Sequence, residues 1–310
     1  MMPAVLSSLE PLLLALVLAP LLPGIIARTR AVFAGRRGPP FLQAYYDLWK
    51  LLRKGAVYSR TTTWVFRAAP SIGLAVAVVA AMIVPGVAGR AIFAFEGDMF
   101  LLVYLLALAR FGTVTAALDT GSSFEGMGAS REVQFALISE MPFVVSLVAL
   151  ACLAGTGSLG GIVTGMGSLT VPETAIPALV LVLLVLMAVA LIENCRIPFD
   201  DPTTHLELTM IHEVMVLDYG GPDLAFILYA ASIKLWLAGT LVVGVALAPC
   251  GLSGWSALAA QVLGMALVAV FIGVVESVMA RYRLVTIPQI MVGAGALALL
   301  AFGLVLRIQL

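Results

Sequence analysis

Charged residues are scarce in this sequence. Of its 310 residues, 62% are hydrophobic and 11% are charged, whereas a soluble domain carries roughly 25% charged residues. This shortfall excludes an ordinary soluble domain and indicates that lipid is the solvent of the chain. Because a spanning helix needs about 20 apolar residues, eight spans would make one transmembrane domain over residues 1–310. The net charge of zero gives no electrostatic reason to expect nucleic-acid binding.

Clustered cysteines are also missing. Cys152, Cys195 and Cys250 lie far apart, and none of them forms a CxxC pair. Iron–sulfur clusters and nickel–iron centres need clustered thiolates. We therefore expect no cofactor and no catalytic metal centre on this chain. No internal repeat is visible, which argues against the transporters built from inverted repeats.

The apolar segments predict an all-α, polytopic membrane protein of about eight transmembrane helices. The first segment lacks a basic leading region and a small-residue cleavage site, so we interpret it as a retained helix rather than a signal peptide. The predicted spans are 5–27, 65–84, 99–119, 135–154, 176–193, 224–247, 256–277 and 286–306.

Basic residues are unevenly distributed between the two sides of these spans. The segment 28–67, between the first two spans, holds 9 of the 17 basic residues, and the Gly-rich loop 155–174 holds none. Because basic loops stay in the cytoplasm, the first loop is predicted to be cytoplasmic. With an even number of spans, both termini are then expected outside.

Two cytoplasmic segments are predicted to form short amphipathic helices. In the first, residues 39–54, an apolar stripe at Phe41, Tyr45, Leu48 and Leu52 predicts a helix lying along the membrane surface. In the second, Asp201 can cap a helix that begins at Pro202. This helix would carry His205 and His212 on one face, and on another it would carry Leu206, Met210, Val214 and Leu217.

The densest polar stretch, residues 193–218, directly follows an apolar span. Its acids favour a carboxylate-lined pocket or proton path entering from the cytoplasm, although a solvated loop with helix caps is the alternative. His212-Glu213 begins an HExxH-like pattern, but Val216 stands where the second histidine is required. With no third ligand indicated, metal binding is not expected.

Three charges interrupt the predicted spans: Arg110, Lys234 and Glu276. Each would cost about 2.5–3.5 kcal/mol at the bilayer centre if it faced lipid, so we expect them to face inward and to pair with opposite charges or water. Glu276 has an alternative interpretation, in which it simply ends a helix. Glu140 lies about two helical turns after Arg131 and is expected slightly below the interface.

At this point the sequence resembles a known family. The run Glu-Asn-Cys-Arg-Ile-Pro-Phe-Asp at 193–200 resembles the loop after the fifth helix in the H-type membrane subunit of bacterial respiratory complex I. Arg-Arg-Gly-Pro-Pro at 36–40 and Gly-Ala-Ser-Arg at 128–131, followed by Glu140, resemble two other cytoplasmic loops of that protein. The longer run 193–218 is closer to the membrane subunits of group 4 nickel–iron hydrogenases, the formate hydrogenlyase type.

The resemblance implies a subunit of the bacterial or archaeal cytoplasmic membrane without redox groups of its own. Its implied partners are a nickel–iron large subunit, an iron–sulfur small subunit and an antiporter-like membrane subunit, so the nickel–iron and iron–sulfur centres would reside in those partners. The resemblance implies Glu140, Glu193, Asp200, Asp201 and Glu207 as ion-path candidates, and the intramembrane charges Lys234 and Glu276 are added to them. The resemblance implies Arg36, Arg37 and Arg196 as candidates for docking the soluble arm, and Arg131, His205 and His212 are further candidates.

Two other functions remain open on the sequence. A quinone-reducing complex I subunit would bind a substrate here, and the complex I loop is richer in glutamate after its Pro-Phe-Asp. Thr203 and His205 depart from that pattern while Glu207 keeps it, which favours a hydrogenase that uses protons as acceptor. A free-standing transporter is the third alternative. The sequence leaves open the electron donor, the translocated ion and the stoichiometry of the complex.

Overall fold

The computed structural model describes residues 4–87, 90–168, 173–200 and 210–309, which form helices and no strand. Seven helices are long and apolar enough to cross a membrane, and the bent pair α1–α2 makes an eighth span. The predicted all-α, polytopic membrane fold is therefore confirmed. The helices are α1 (Ala4–Leu18), α2 (Leu21–Phe33), α3 (Gln43–Leu52), α4 (Trp64–Ile83), α5 (Asp98–Asp119), α6 (Ser123–Ala154), α7 (Leu159–Ser168), α8 (Ile176–Glu193), α9 (His212–Met215), α10 (Gly221–Leu247), α11 (Gly254–Val278) and α12 (Thr286–Gln309).

The first span is broken, whereas the sequence analysis predicted one continuous segment over 5–27. Its two halves, α1 and α2, meet at an angle of 46°. Pro20 has no N–H to donate to the carbonyl of Leu16, and the Tyr229 hydroxyl donates to that carbonyl instead, at 2.8 Å. The Tyr45 hydroxyl donates to the neighbouring carbonyl of Val17. Two tyrosines thus satisfy backbone groups that the break leaves without a helical partner.

Helix α6 begins twelve residues before the predicted span, because much of the polar stretch that follows Asp119 is helical. The turn before it is short, and Gly121 adopts a φ of 71° there, a left-handed conformation that suits glycine. Gly128 lies inside the helix, where a Cβ would collide with Val214. Glycine at this position therefore allows α6 to pack closely against α9.

The second predicted amphipathic helix differs from the structure. Residues 201–209, including its predicted start, lie outside the described residues. Met210 and Ile211 are not helical, and α9 comprises only four residues. Val214 is buried whereas Leu217 is half exposed, so these two residues do not share the predicted apolar face. A continuous helix through residue 217 is therefore wrong.

On the other side of the bundle, the Gly-rich loop 155–174 contains the short helix α7. Two acids near the start of α5 hold the first residues of this loop in place. Glu96 Oε2 accepts a hydrogen bond from the Gly157 amide at 2.8 Å, and Asp98 Oδ1 accepts one from the Leu159 amide at 2.7 Å. Asp98 thus satisfies the amide of the first residue of α7, which has no intrahelical partner, and Glu96 fixes the turn just before the helix.

Candidate functional site

The guanidinium of Arg110 on α5 contacts three carboxylates. Its Nη2 lies 2.5 Å from Glu193 Oε1 and its Nη1 lies 2.7 Å from Glu140 Oε1. Its Nε lies 3.4 Å from Glu132 Oε1. The planar guanidinium can meet several acids at once, and here it joins the end of α8 to two positions of α6.

Glu193, the last residue of α8, is the most connected of the three acids. Besides Arg110, it accepts a hydrogen bond from the Ser139 hydroxyl at 3.1 Å. Its Oε2 lies 3.8 Å from Lys234 Nζ on α10. Three other spanning helices, α5, α6 and α10, therefore bring polar side chains to this one carboxylate.

We call Arg110, Glu132, Glu140, Glu193 and Lys234 the central cluster. The Arg110, Glu132 and Glu193 side chains are almost fully enclosed, while those of Lys234 and Glu140 are 24% and 34% exposed. Within the described part of the chain, three carboxylates face two cations. The expectation that Arg110 and Lys234 pair with acids is confirmed, and a role in moving ions stays a prediction.

A cavity of about 320 Å³ lies beside the central cluster. Arg110, Glu132, Glu193 and Lys234 line one part of it, and the remaining lining is mostly apolar. Small residues of α4 and α10, such as Ala77, contribute to that apolar lining. The cavity therefore combines a charged end with room for an amphipathic molecule or for water.

A second cavity, of about 20 Å³, is lined by Glu132, Ser139, Glu193 and Asp200 among others. This volume is enough for about one water molecule, and the oxygens around it would satisfy such a water. The small cavity thus lies between the central cluster and the loop that follows α8.

Asp200 in that loop is buried and holds the chain segment that leads into α9. Its Oδ2 accepts hydrogen bonds from the amides of Ile211 at 3.3 Å and His212 at 3.1 Å. Its Oδ1 lies 3.1 Å from Arg281 Nη2. Backbone amides and a guanidinium are strong hydrogen-bond donors to a carboxylate. Asp200 is therefore placed as an anchor for this segment.

His212 and Cys195 also line the large cavity. Burial lowers the pKa of His212 to about 4, and the nearby Lys234 contributes to the lowering. Burial likewise raises the pKa of the Cys195 thiol well above its usual value. Both side chains are therefore neutral near pH 7.

Glu276, near the end of α11, lies apart from the central cluster. Its Oε2 lies 3.4 Å from Arg30 Nη1 and its Oε1 lies 3.5 Å from Arg196 Nη1. The expectation that Glu276 pairs with basic residues is confirmed. Because Arg30 belongs to α2 and Arg196 follows α8, this acid ties three parts of the bundle together.

The predicted ion-path residues are therefore only partly brought together. Glu140, Glu193 and Lys234 meet in the central cluster, whereas Asp200 and Glu276 lie in separate ion pairs. Asp201 and Glu207 lie outside the described residues. For all seven candidates, a part in an ion path stays a prediction.

The predicted docking residues differ in exposure. Arg36 and Arg37 are exposed. Arg131 donates a hydrogen bond to the carbonyl of Met210 at 3.1 Å, and Arg196 pairs with Glu276. His212 lines the cavity, and His205 lies outside the described residues.

Glu132 was not among the predicted site residues, and Arg110 was predicted only to pair with acids. The sequence does carry a signal for Glu132. If α6 begins early, positions 132, 136, 139 and 140 share one helical face. Among the described residues, no group of three or more His, Cys, Asp and Glu side chains could hold a metal ion. The prediction that redox metals reside in partner subunits stays a prediction.

Fold and site together define a multi-pass α-helical membrane protein with a charge cluster inside its bundle. A family profile described as NADH dehydrogenase matches residues 8–306, and the chain belongs to this family. The predicted family resemblance is thereby confirmed.

Several relatives cover most of the chain. Formate hydrogenlyase subunit 4 of Escherichia coli (strain K12) is 34% identical, over 96% of this chain and 98% of that protein. Hydrogenase-4 component C of the same organism is 32% identical, over 96% and 95%. The H-type subunit of the NADH-quinone oxidoreductase of Thermomicrobium roseum (strain ATCC 27502 / DSM 5159 / P-2) is 27% identical, over 71% and 70%.

The fold also matches a solved structure. A chain in the structure of the membrane-bound sulfane sulfur reductase (MBS), an archaeal respiratory membrane complex, superimposes with a TM-score of 0.81 at 18% identity. The match covers 97% of this chain and 99% of that chain. At this identity the match demonstrates a shared fold.

Proposed function

We propose that this chain is the membrane anchor and coupling subunit of an energy-converting nickel–iron hydrogenase complex of the formate hydrogenlyase type. It would link a soluble redox arm to proton or sodium translocation. Two relatives above 30% identity are a formate hydrogenlyase subunit and a hydrogenase component, and both match almost end to end. The redox chemistry would take place on metal centres of the partner subunits.

The proposed coupling role is based mainly on the central cluster. Its five charges lie on membrane-spanning helices, where isolated charges are costly, and three acids compete for two cations. One carboxylate can therefore take up a proton without leaving a cation unpaired. The small cavity between Glu193 and Asp200 offers a place for a water that would carry a proton toward the loop side.

The basic segment between α2 and α4 supports an arm-docking role. Arg36 and Arg37 are exposed and can reach an acidic surface of a soluble partner. The excess of basic residues in this segment favours a cytoplasmic position for it, with both termini outside. An iron–sulfur small subunit and a nickel–iron large subunit would then bind from the cytoplasm, beside an antiporter-like membrane subunit.

Purification through a tag on this chain tests the proposal. The solubilised complex is expected to contain nickel and iron and to evolve hydrogen. Isolation of the chain alone, without metal, in detergents that preserve other membrane complexes would contradict the proposal.

The large cavity favours one alternative, a quinone-binding subunit of a complex I-like oxidoreductase. A mostly apolar cavity with a charged end suits an amphipathic quinone, and the 27% identical relative is named a quinone oxidoreductase subunit. Iron and flavin without nickel in the purified complex, together with quinone reductase activity, would establish this alternative.

A further inference from the structure

Helix α3 presents two different apolar faces. One faces the bundle, where Ala44 and Leu48 line the large cavity and the Tyr45 hydroxyl reaches the Val17 carbonyl. The other points away from the protein and carries Tyr46 and Trp49, whose exposed fractions are both 59%. The apolar stripe predicted from the sequence lies mainly on the inner face.

The outward stripe continues the helical spacing from Leu42 through Tyr46 and Trp49 to Arg53. Leu42 is half exposed, and the guanidinium carbon of Arg53 lies 4.6 Å from the centre of the Trp49 ring. Tryptophan and tyrosine favour the boundary between water and hydrocarbon, where a neighbouring basic side chain reaches the headgroups.

Basic residues border this face. Lys50 and Lys54 are exposed beside Arg53. Across residues 28–67 the nine basic residues are accompanied by a single acid, Asp47, which lines the cavity on the other side of α3. The outer side of α3 therefore combines apolar and aromatic side chains with an excess of positive charge.

We propose that the outer face of α3 is a binding surface for anionic phospholipid. Leu42, Tyr46 and Trp49 insert among the acyl chains, and Lys50 and Arg53 bind the phosphate-bearing headgroup. An anionic leaflet satisfies both the apolar and the basic side chains, and the combination of tryptophan, tyrosine and basic residues on one helix face is typical of the membrane boundary. The surface is independent of the proposed hydrogenase function.

Fluorescence quenching tests this surface. The full chain is reconstituted into phosphatidylcholine vesicles that contain brominated phosphatidylglycerol or brominated phosphatidylcholine. The difference between wild type and Trp49→Phe isolates the emission of Trp49. We expect brominated phosphatidylglycerol to quench this emission about fivefold more effectively, as one favourable basic contact with an anionic headgroup predicts. Equal quenching by both lipids, or quenching by neither, would overturn the proposal.

Charge-matched variants locate the headgroup site. The double variant Lys50→Gln/Arg53→Gln should lose the preference, while Arg36→Gln/Arg37→Gln, which removes the same charge elsewhere in the segment, should keep it. If the first variant does not fold, added salt should abolish the preference in wild type. An unchanged preference in the first variant, or in high salt, would rule out headgroup recognition. Arm docking is tested separately, by whether the hydrogenase partners still purify with a tagged Arg36→Gln/Arg37→Gln chain.

Discussion

Two groups of charged side chains in this protein are built differently. The central cluster joins spanning helices, lines a large cavity and contains three acids for two bases. The second group, which we call the loop cluster, surrounds the segment after α8 and has three arginines for two acids. Its members are Arg30, Arg196, Arg281, Asp200 and Glu276.

The difference lies in how the acids are held. Asp200 is bound by two backbone amides and an arginine, and Glu276 lies between two arginines. Such contacts fix the positions of loops and helices. Glu193 instead shares its cations with two competing carboxylates. Because it has one acid more than its cations, the central cluster is where we expect a change of protonation, and anchoring is the role expected of the loop cluster.

Removing Arg110 should have the largest effect, because three carboxylates would then have Lys234 as their only described cation. Breaking a buried ion pair by removing one partner costs about 3–5 kcal/mol. We expect Arg110→Gln to accumulate poorly in membranes and to melt at a much lower temperature in detergent.

Two controls accompany this variant. Arg110→Lys keeps the charge but cannot reach three acids at once, so it should recover only part of the stability. Arg307→Gln removes an exposed arginine near the end of α12 and should melt like wild type. Equal melting temperatures for Arg110→Gln and wild type would mean that Arg110 is dispensable for stability.

Asp200→Asn should have the next largest effect and should lower the stability of the protein. The amide retains one oxygen for a backbone amide, but it loses the ion pair with Arg281 and presents an N–H₂ group to other donors. A lost charged hydrogen bond that leaves a buried group unsatisfied costs about 1–3 kcal/mol. Limited proteolysis should detect loosening of the segment before α9. A variant with wild-type stability and impaired ion pumping would move Asp200 from the anchoring group to the ion path.

Glu193→Gln should show the opposite pattern. Glutamine keeps the size of the side chain and leaves two acids for two cations, so the assembled complex should purify in normal amounts. We expect hydrogen evolution coupled to ion pumping to fall by about a hundredfold, the lower end of the range for the loss of a proton-transferring group. Glu276→Gln is the matched control and should retain coupling. Full pumping by Glu193→Gln would exclude a charge-path role for this residue.

The sequence was sufficient to predict the spans and the inward pairing of intramembrane charges, because both follow from the cost of placing polar groups in lipid. It did not identify which acids Arg110 meets, since Glu140 and Glu193 lie on different helices and their distance depends on packing. Glu132 was missed because residues 123–134 have the composition of a loop. Pro20 indicates the break of the first span, but the span was predicted from its number of apolar residues, which takes no account of proline.

The smallest predicted effect concerns His212, which lies between the two clusters and is neutral when the protein is folded. Its pKa is lowered to about 4 by burial and by Lys234, whereas an unfolded histidine has a pKa of about 6.5. The unfolded chain therefore binds more protons below that value, so the stability contributed by neutral His212 decreases as the pH falls from about 6.5 to about 4. Between about pH 7.5 and about pH 5.5 the loss should be about 1 kcal/mol, or about 2 °C in melting temperature. His212→Gln has no titrating group there and should melt with a correspondingly smaller decrease over the same interval. An identical pH dependence in the two proteins would show that His212 takes up its proton at the same pH in the folded and unfolded chains. It would then add a third cation beside the central cluster at acidic pH.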